Sequence, residues 1–124
     1  MKHSNNELAR MLIDSMTNRD FSAVEPYMSD DLRLNFPGAG TLEGKRRVLV
    51  FLNAMLRKYP GLVFKVTDVF STDTRSCIVW INSGEDINGQ AYENSGTTVI
   101  HYNKGKFVYL SDYFKDTSFR ENSK

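Results

Sequence analysis

The sequence is poor in cysteine, proline and histidine, with one, three and two of them among 124 residues. Cys77 alone cannot close an internal disulfide, which fits a reducing compartment. No second His or Cys stands at metal-ligand spacing from His101, so neither a metal nor a cofactor is expected. Charge of one sign is also lacking: sixteen Lys and Arg face fifteen Asp and Glu, for a formal net charge of +1. That balance gives no drive toward polyanions, so nucleic acid and membrane are not expected partners. No apolar run approaches the ~20 residues that span a bilayer. The stretch Met1–Arg10 has no apolar core of the kind a secretion signal carries, so a cytoplasmic protein is expected.

What remains is the composition of an ordinary globular chain, 40% hydrophobic and 25% charged. Its length predicts a single domain over residues 1–124, with a frayed tail from about Phe119. Ser4-Asn5-Asn6-Glu7 is a capping box, and Leu8, Met11, Leu12 and Met16 follow at helical spacing, predicting a helix over about Asn5–Thr17. Ser22–Glu25 is a second capping box that predicts a short helix through Met28, followed by a loop at Ser29–Asp31. Leu32, Leu34 and Phe36 alternate with polar residues, the pattern of a half-buried strand ended by Pro37-Gly38. A third helix is expected after Gly44, with Val48, Phe51, Leu52, Met55 and Leu56 on one stripe, stopped at Pro60-Gly61. Gly40–Lys45 is not a phosphate loop: Ala39 stands where its first glycine belongs, and Arg46 where Ser or Thr belongs. It is expected to be a plain loop.

Four strands should follow. Leu62–Phe70 is the first, and Ser76–Ile87 the second. Asn88-Gly89 and Asn103-Lys104-Gly105 read as turns whose residues tolerate positive φ, so the last three runs form an antiparallel meander. These strands are long, and long strands twist and bend into a sheet with a concave face. Helices followed by a strand-rich half predict an α+β fold.

The motif set Gly89-Gln90-Ala91-Tyr92-Glu93-Asn94, the Lys104-Gly105-Lys106 turn and Asp112-Tyr113-Phe114 resembles the SnoaL-like branch of the nuclear-transport-factor-2-like superfamily. The resemblance covers about Glu7–Asp116. It implies a cone: a strongly curved, mainly antiparallel sheet wrapped around the N-terminal helices, with a pocket at the open end. Lys104 replaces the usual turn acid, and Asp112 replaces the usual glutamate. Members include isomerases, cyclases, dehydratases, epoxide hydrolases and non-catalytic modules. Ketosteroid isomerase chemistry would need an acid where Phe36 stands, a tyrosine near Leu12 and an acid near Thr98. All three are missing here. An inward Arg–Asp pair of the epoxide-hydrolase kind is also missing.

Asp112 is the candidate acid–base residue. Alternation of Val108, Leu110, Asp112 and Phe114 aims it inward, where desolvation raises a carboxyl pKa. The plainer alternative is an acid that only accepts structural hydrogen bonds or sits at a wet rim. Trp80, Tyr92, Asn94, Phe36, Leu12 and Leu110 are expected to wall a pocket for a small apolar or partly polar ligand. Trp80 also fits plain core or dimer packing, and Asn94 a polar strand start. The run Cys77–Ile81 is apolar on both faces, so the outer one is expected to meet a second copy in a homodimer. Two functions stay open: an isomerase-, cyclase- or dehydratase-type acid–base enzyme, or a non-catalytic module for ligand binding or dimerisation.

Overall fold

The computed structural model describes residues 3–116. Helix α1 spans Asn5–Asn18, a 3-10 turn spans Glu25–Tyr27, strand β1 spans Met28–Phe36 and β2 spans Gly40–Glu43. Helix α2 spans Lys45–Arg57, and β3 Val63–Ser71, β4 Arg75–Glu85, β5 Ala91–Asn103 and β6 Lys106–Phe114 complete the domain. The strands form one open sheet in the order β2-β1-β6-β5-β4-β3. All neighbours are antiparallel except β1 and β6, which run parallel. The fold is the expected α+β cone. The expected tail from Phe119 lies outside the described residues.

The Ser4 capping box forms as the sequence indicates: Ser4 Oγ accepts from the Glu7 N–H, and Glu7 returns a carboxylate oxygen to the Ser4 N–H at 2.7 Å. Helix α1 packs on β3 and β4, while α2 packs on β1 and β2, so the two helices split the concave face. Leu8, Leu12, Val48, Leu52 and Leu56 are buried between helices and sheet. The carboxyl end of α1 is tied down by side chains. The Arg19 guanidinium donates to the carbonyls of Tyr59 and Leu62, and Thr17 Oγ1 accepts from the Phe64 N–H at 2.9 Å.

Several local readings are corrected. The second capping box does not form, because Asp20 takes both the Ser22 N–H and its hydroxyl. Only the three-residue 3-10 turn follows, with Pro26 inside it. Ser29–Asp31 lies within β1, which starts at Met28 because Met28 pairs with Phe107 on β6; a register shift absorbs the intervening residues. Gly40–Glu43 is strand β2, not a loop, since it completes the open edge of β1. Four residues of weak pattern take strand form because an unpaired neighbour offers hydrogen bonds. The meander has four strands, β3 included. Its Lys104-Gly105 turn has positive φ at both residues. The other turn differs: only Gly89 is left-handed there, and Asp86 Oδ1 accepts from the Asn88 and Gln90 N–H groups.

Candidate functional site

The inward side chains of three strands build the site. Register sets Trp80 against Gly96, Asn82 against Asn94 and Thr98 against Asp112. Gly96 makes room for the indole: a Cβ there would lie 3.1 Å from the Trp80 ring and 2.3 Å from the Tyr113 carbonyl oxygen. Phe64 and Phe114 meet Trp80 edge to face, at centroid distances of 5.3 and 5.5 Å.

A short relay crosses the sheet. The Trp80 indole N–H donates to Thr98 Oγ1 at 3.1 Å, and the Thr98 hydroxyl donates to Asp112 Oδ1 at 2.7 Å. Asp112 is only 8% exposed. Burial in an apolar surround raises its pKa from 3.8 to about 6, and the Thr98 hydrogen bond opposes that rise only in part.

Asp112 borders two cavities. The outer one, about 40 Å³, is walled by Phe36, Phe64, Trp80, Tyr92 and Phe114, with Met16 and Met55 from the helices. The inner one, about 20 Å³, lies among Leu12, Leu34, Leu52 and Leu110. The outer space holds roughly three waters at ~10–15 Å³ each, so side chains at its mouth must move to admit anything larger. The flexible Met16 and Met55 suit that motion. Tyr59 and Tyr92 stack loosely at the mouth, 4.6 Å between centroids, and burial raises both phenol pKa values.

The sequence candidates fall in three places. Asp112, Trp80, Tyr92 and Phe36 line the outer cavity. Leu12 and Leu110 line the inner one. Asn94 lines neither and serves the rim, donating to Tyr92 Oη at 3.1 Å and to the Asp116 carbonyl at 2.8 Å. Phe51 and Met55, on the apolar stripe that the sequence assigns to this helix, are half-buried because α2 carries them toward the open end, where Met55 lines the cavity and Phe51 packs edge to face on Phe36. Val108 does not share the inward face of Leu110. A bulge pairs Tyr102 with Phe107, so Phe107 takes the buried place. His101 stacks on Tyr109, 5.0 Å between centroids, and its pKa is lowered by burial and by Arg75 and Arg33. Among the described residues no three His, Cys, Asp or Glu side chains gather as a metal site.

Sequence reasoning missed Asn82, Thr98 and Tyr59 as wall residues. Two were within reach: alternation from Trp80 leads to Asn82, and from Asn94 to Thr98. Tyr59 arrives by the path of the chain after α2, which no strand pattern encodes.

Residues 9–110 match the family model of the SnoaL-like domain. The chain belongs to the SnoaL-like family. Solved structures share its fold. A nuclear-transport-factor-2-like protein of unknown function from Burkholderia pseudomallei has a TM-score of 0.83 at 20% identity, over 97% of both chains. A protein assigned as a SnoaL-like polyketide cyclase from Jannaschia sp. CCS1 has a TM-score of 0.80 at 14% identity, over 93% of this chain and 91% of that one. AclR of Streptomyces galilaeus, assigned as a hydroxylase, has a TM-score of 0.75 at 13% identity, over 94% and 83%. No curated protein matches the sequence. Within this SnoaL-like domain, no helix among the described residues is long and apolar enough to cross a membrane.

Proposed function

We propose that this SnoaL-like protein binds a small, largely apolar molecule in the outer cavity and that Asp112 exchanges a proton with it. The observation that carries the reading is a buried carboxyl, pKa about 6, at the floor of an apolar cavity. Such an acid is neutral or charged near working pH, as general acid–base catalysis requires. Trp80 and Thr98 hold it in place through the relay. Isomerisation, cyclisation or dehydration next to a carbonyl needs one such proton carrier. Neighbours assigned as a polyketide cyclase and a hydroxylase support small-molecule chemistry. The test is an NMR titration of the Asp112 carboxyl: a value near 6 is expected. A value at or below ~3.9 would show a structural acid and overturn the catalytic reading.

A second reading has its own support. By the family resemblance, a ketosteroid isomerase would carry an acid where Phe36 stands, a tyrosine near Leu12 and an acid near Thr98, and this sequence lacks all three. The cavity then binds a ligand without converting it, and ligand affinity changes little in Asp112→Asn. In either case the convex sheet face is proposed to pair with a second copy. Phe70, Ile81 and Tyr113 stand there 57%, 44% and 58% exposed, on the strand faces opposite the core.

A further inference from the structure

Asn82 is 7% exposed and lines the outer cavity, yet among the described residues its Oδ1 has no hydrogen-bond partner. Two of its neighbours are engaged elsewhere. Asn94, directly across in register, donates to Tyr92 and to the Asp116 carbonyl. The Trp80 N–H goes to Thr98. Leaving a buried amide oxygen unpaired is costly, and native proteins rarely do it without a reason. We propose that Asn82 is the polar anchor of the site, pairing with a hydroxyl on a flat, largely apolar ligand. The inference rests on the reading of the outer cavity as a binding site. A hydroxyl is the fitting group because it donates to an amide oxygen and accepts from an amide nitrogen. A flat skeleton is the fitting shape because the walls are mostly rings, Phe36, Phe64, Trp80, Tyr92 and Phe114, which a planar ligand can meet face or edge on once the side chains at the mouth move. The ligand thus meets Asn82 on one wall and Asp112 on another, which fixes its orientation relative to the proton carrier. A site built this way rejects an analogue that lacks the hydroxyl, because the amide is again left unpaired.

Titration calorimetry with two matched probe pairs tests this: phenol against anisole, and 2-naphthol against 2-methoxynaphthalene. The hydroxyl probe of each pair should bind about tenfold tighter to the wild-type protein. Asn82→Leu should bring the two affinities together while keeping the ethers bound and the melting temperature unchanged or raised. Asn82→Ala serves the same purpose if the leucine does not fit. Equal affinities in the wild type overturn the anchor, as does a preference that survives Asn82→Leu but disappears in Asp112→Asn. A lowered melting temperature with the preference intact shows a structural amide and also overturns it. Ethers that bind without discrimination remove Asn82 alone; no binding by any probe removes the cavity reading with it. The Asp112 titration needs no ligand, so proton exchange is judged separately.

Discussion

The closed and open ends of the cone both bury polar groups on β4 and β5. At the closed end, Ser76 Oγ lies 2.7 Å from Tyr102 Oη and 2.6 Å from Ser71 Oγ, and the Tyr102 hydroxyl donates to the Asn5 carbonyl at 3.0 Å. Each of these groups has a protein partner, and together they fasten the start of α1 to the sheet. At the open end, the relay from Trp80 stops at Asp112, and Asn82 Oδ1 has no partner among the described residues. The strands are the same and the residue types are similar. The difference lies in completion: one network closes on the protein, while the other ends at a cavity. Polar groups of the first kind hold a fold, and those of the second, in the function proposed above, are set for a molecule from outside.

The largest effect should come from the packing that both ends share. Leu12→Ala should cost ~2–5 kcal/mol by the cavity rule, since Leu12 is buried beneath the sheet and borders the inner cavity. Chemical denaturation measures it, and an unshifted midpoint would show that α1 does not fill the cone. Next is the pH dependence of the open end. Folding favours the neutral form of Asp112, whose pKa is raised from 3.8 to about 6. Its effect on stability is therefore absent at low pH. Stability then falls as pH rises from the unfolded value through about 6, by on the order of 3 kcal/mol, and levels off above. Asp112→Asn should remove this slope and be the more stable protein at pH 7. A slope of opposite sign would make Asp112 a paired acid, its hydrogen bonds as complete as those of the closed end.

Tyr102→Phe removes the hydroxyl that links Ser76 to the Asn5 carbonyl, while Ser76 keeps Ser71. A loss of ~0.5–1.5 kcal/mol is expected by thermal denaturation. Set beside Asn82→Leu, which should cost nothing, it sharpens the contrast; equal losses would erase it. The smallest effect on the fold should come from Ile81→Lys on the convex face, within about 0.5 kcal/mol. That change should nonetheless split the proposed dimer, which needs on the order of 1,200 Å² of total buried surface. Light scattering that finds the wild type already at 14.2 kDa at micromolar concentration would remove the dimer.

Much of the fold was legible because local physics agreed with the final structure. The Ser4 capping box, the amphipathic stripe of α2 and the Lys104-Gly105 turn are each specified by neighbours in sequence. The failures share a cause. β2, the early start of β1 and the bulge that buries Phe107 instead of Val108 all depend on what a partner strand presents. The irregular turn that Asp86 closes is different: its bonds are local, to the Asn88 and Gln90 N–H groups.

The site divides along the same line. Residue order alone determined that Leu110, Asp112 and Phe114 would share a face, because a strand alternates with a period of two; it left the face of Trp80 open. Tertiary structure decided which face was concave, that Thr98 would stand across from Asp112, and that Tyr59 and Met55 would arrive at the mouth from α2 and the chain beyond it. It also decided which buried polar atoms found partners: Tyr102 met the Asn5 carbonyl from 97 positions away, and Asn82 Oδ1 met none among the described residues. Strand register and helix docking set those distances. They arise from the packing of the whole core, which no local stretch of sequence contains.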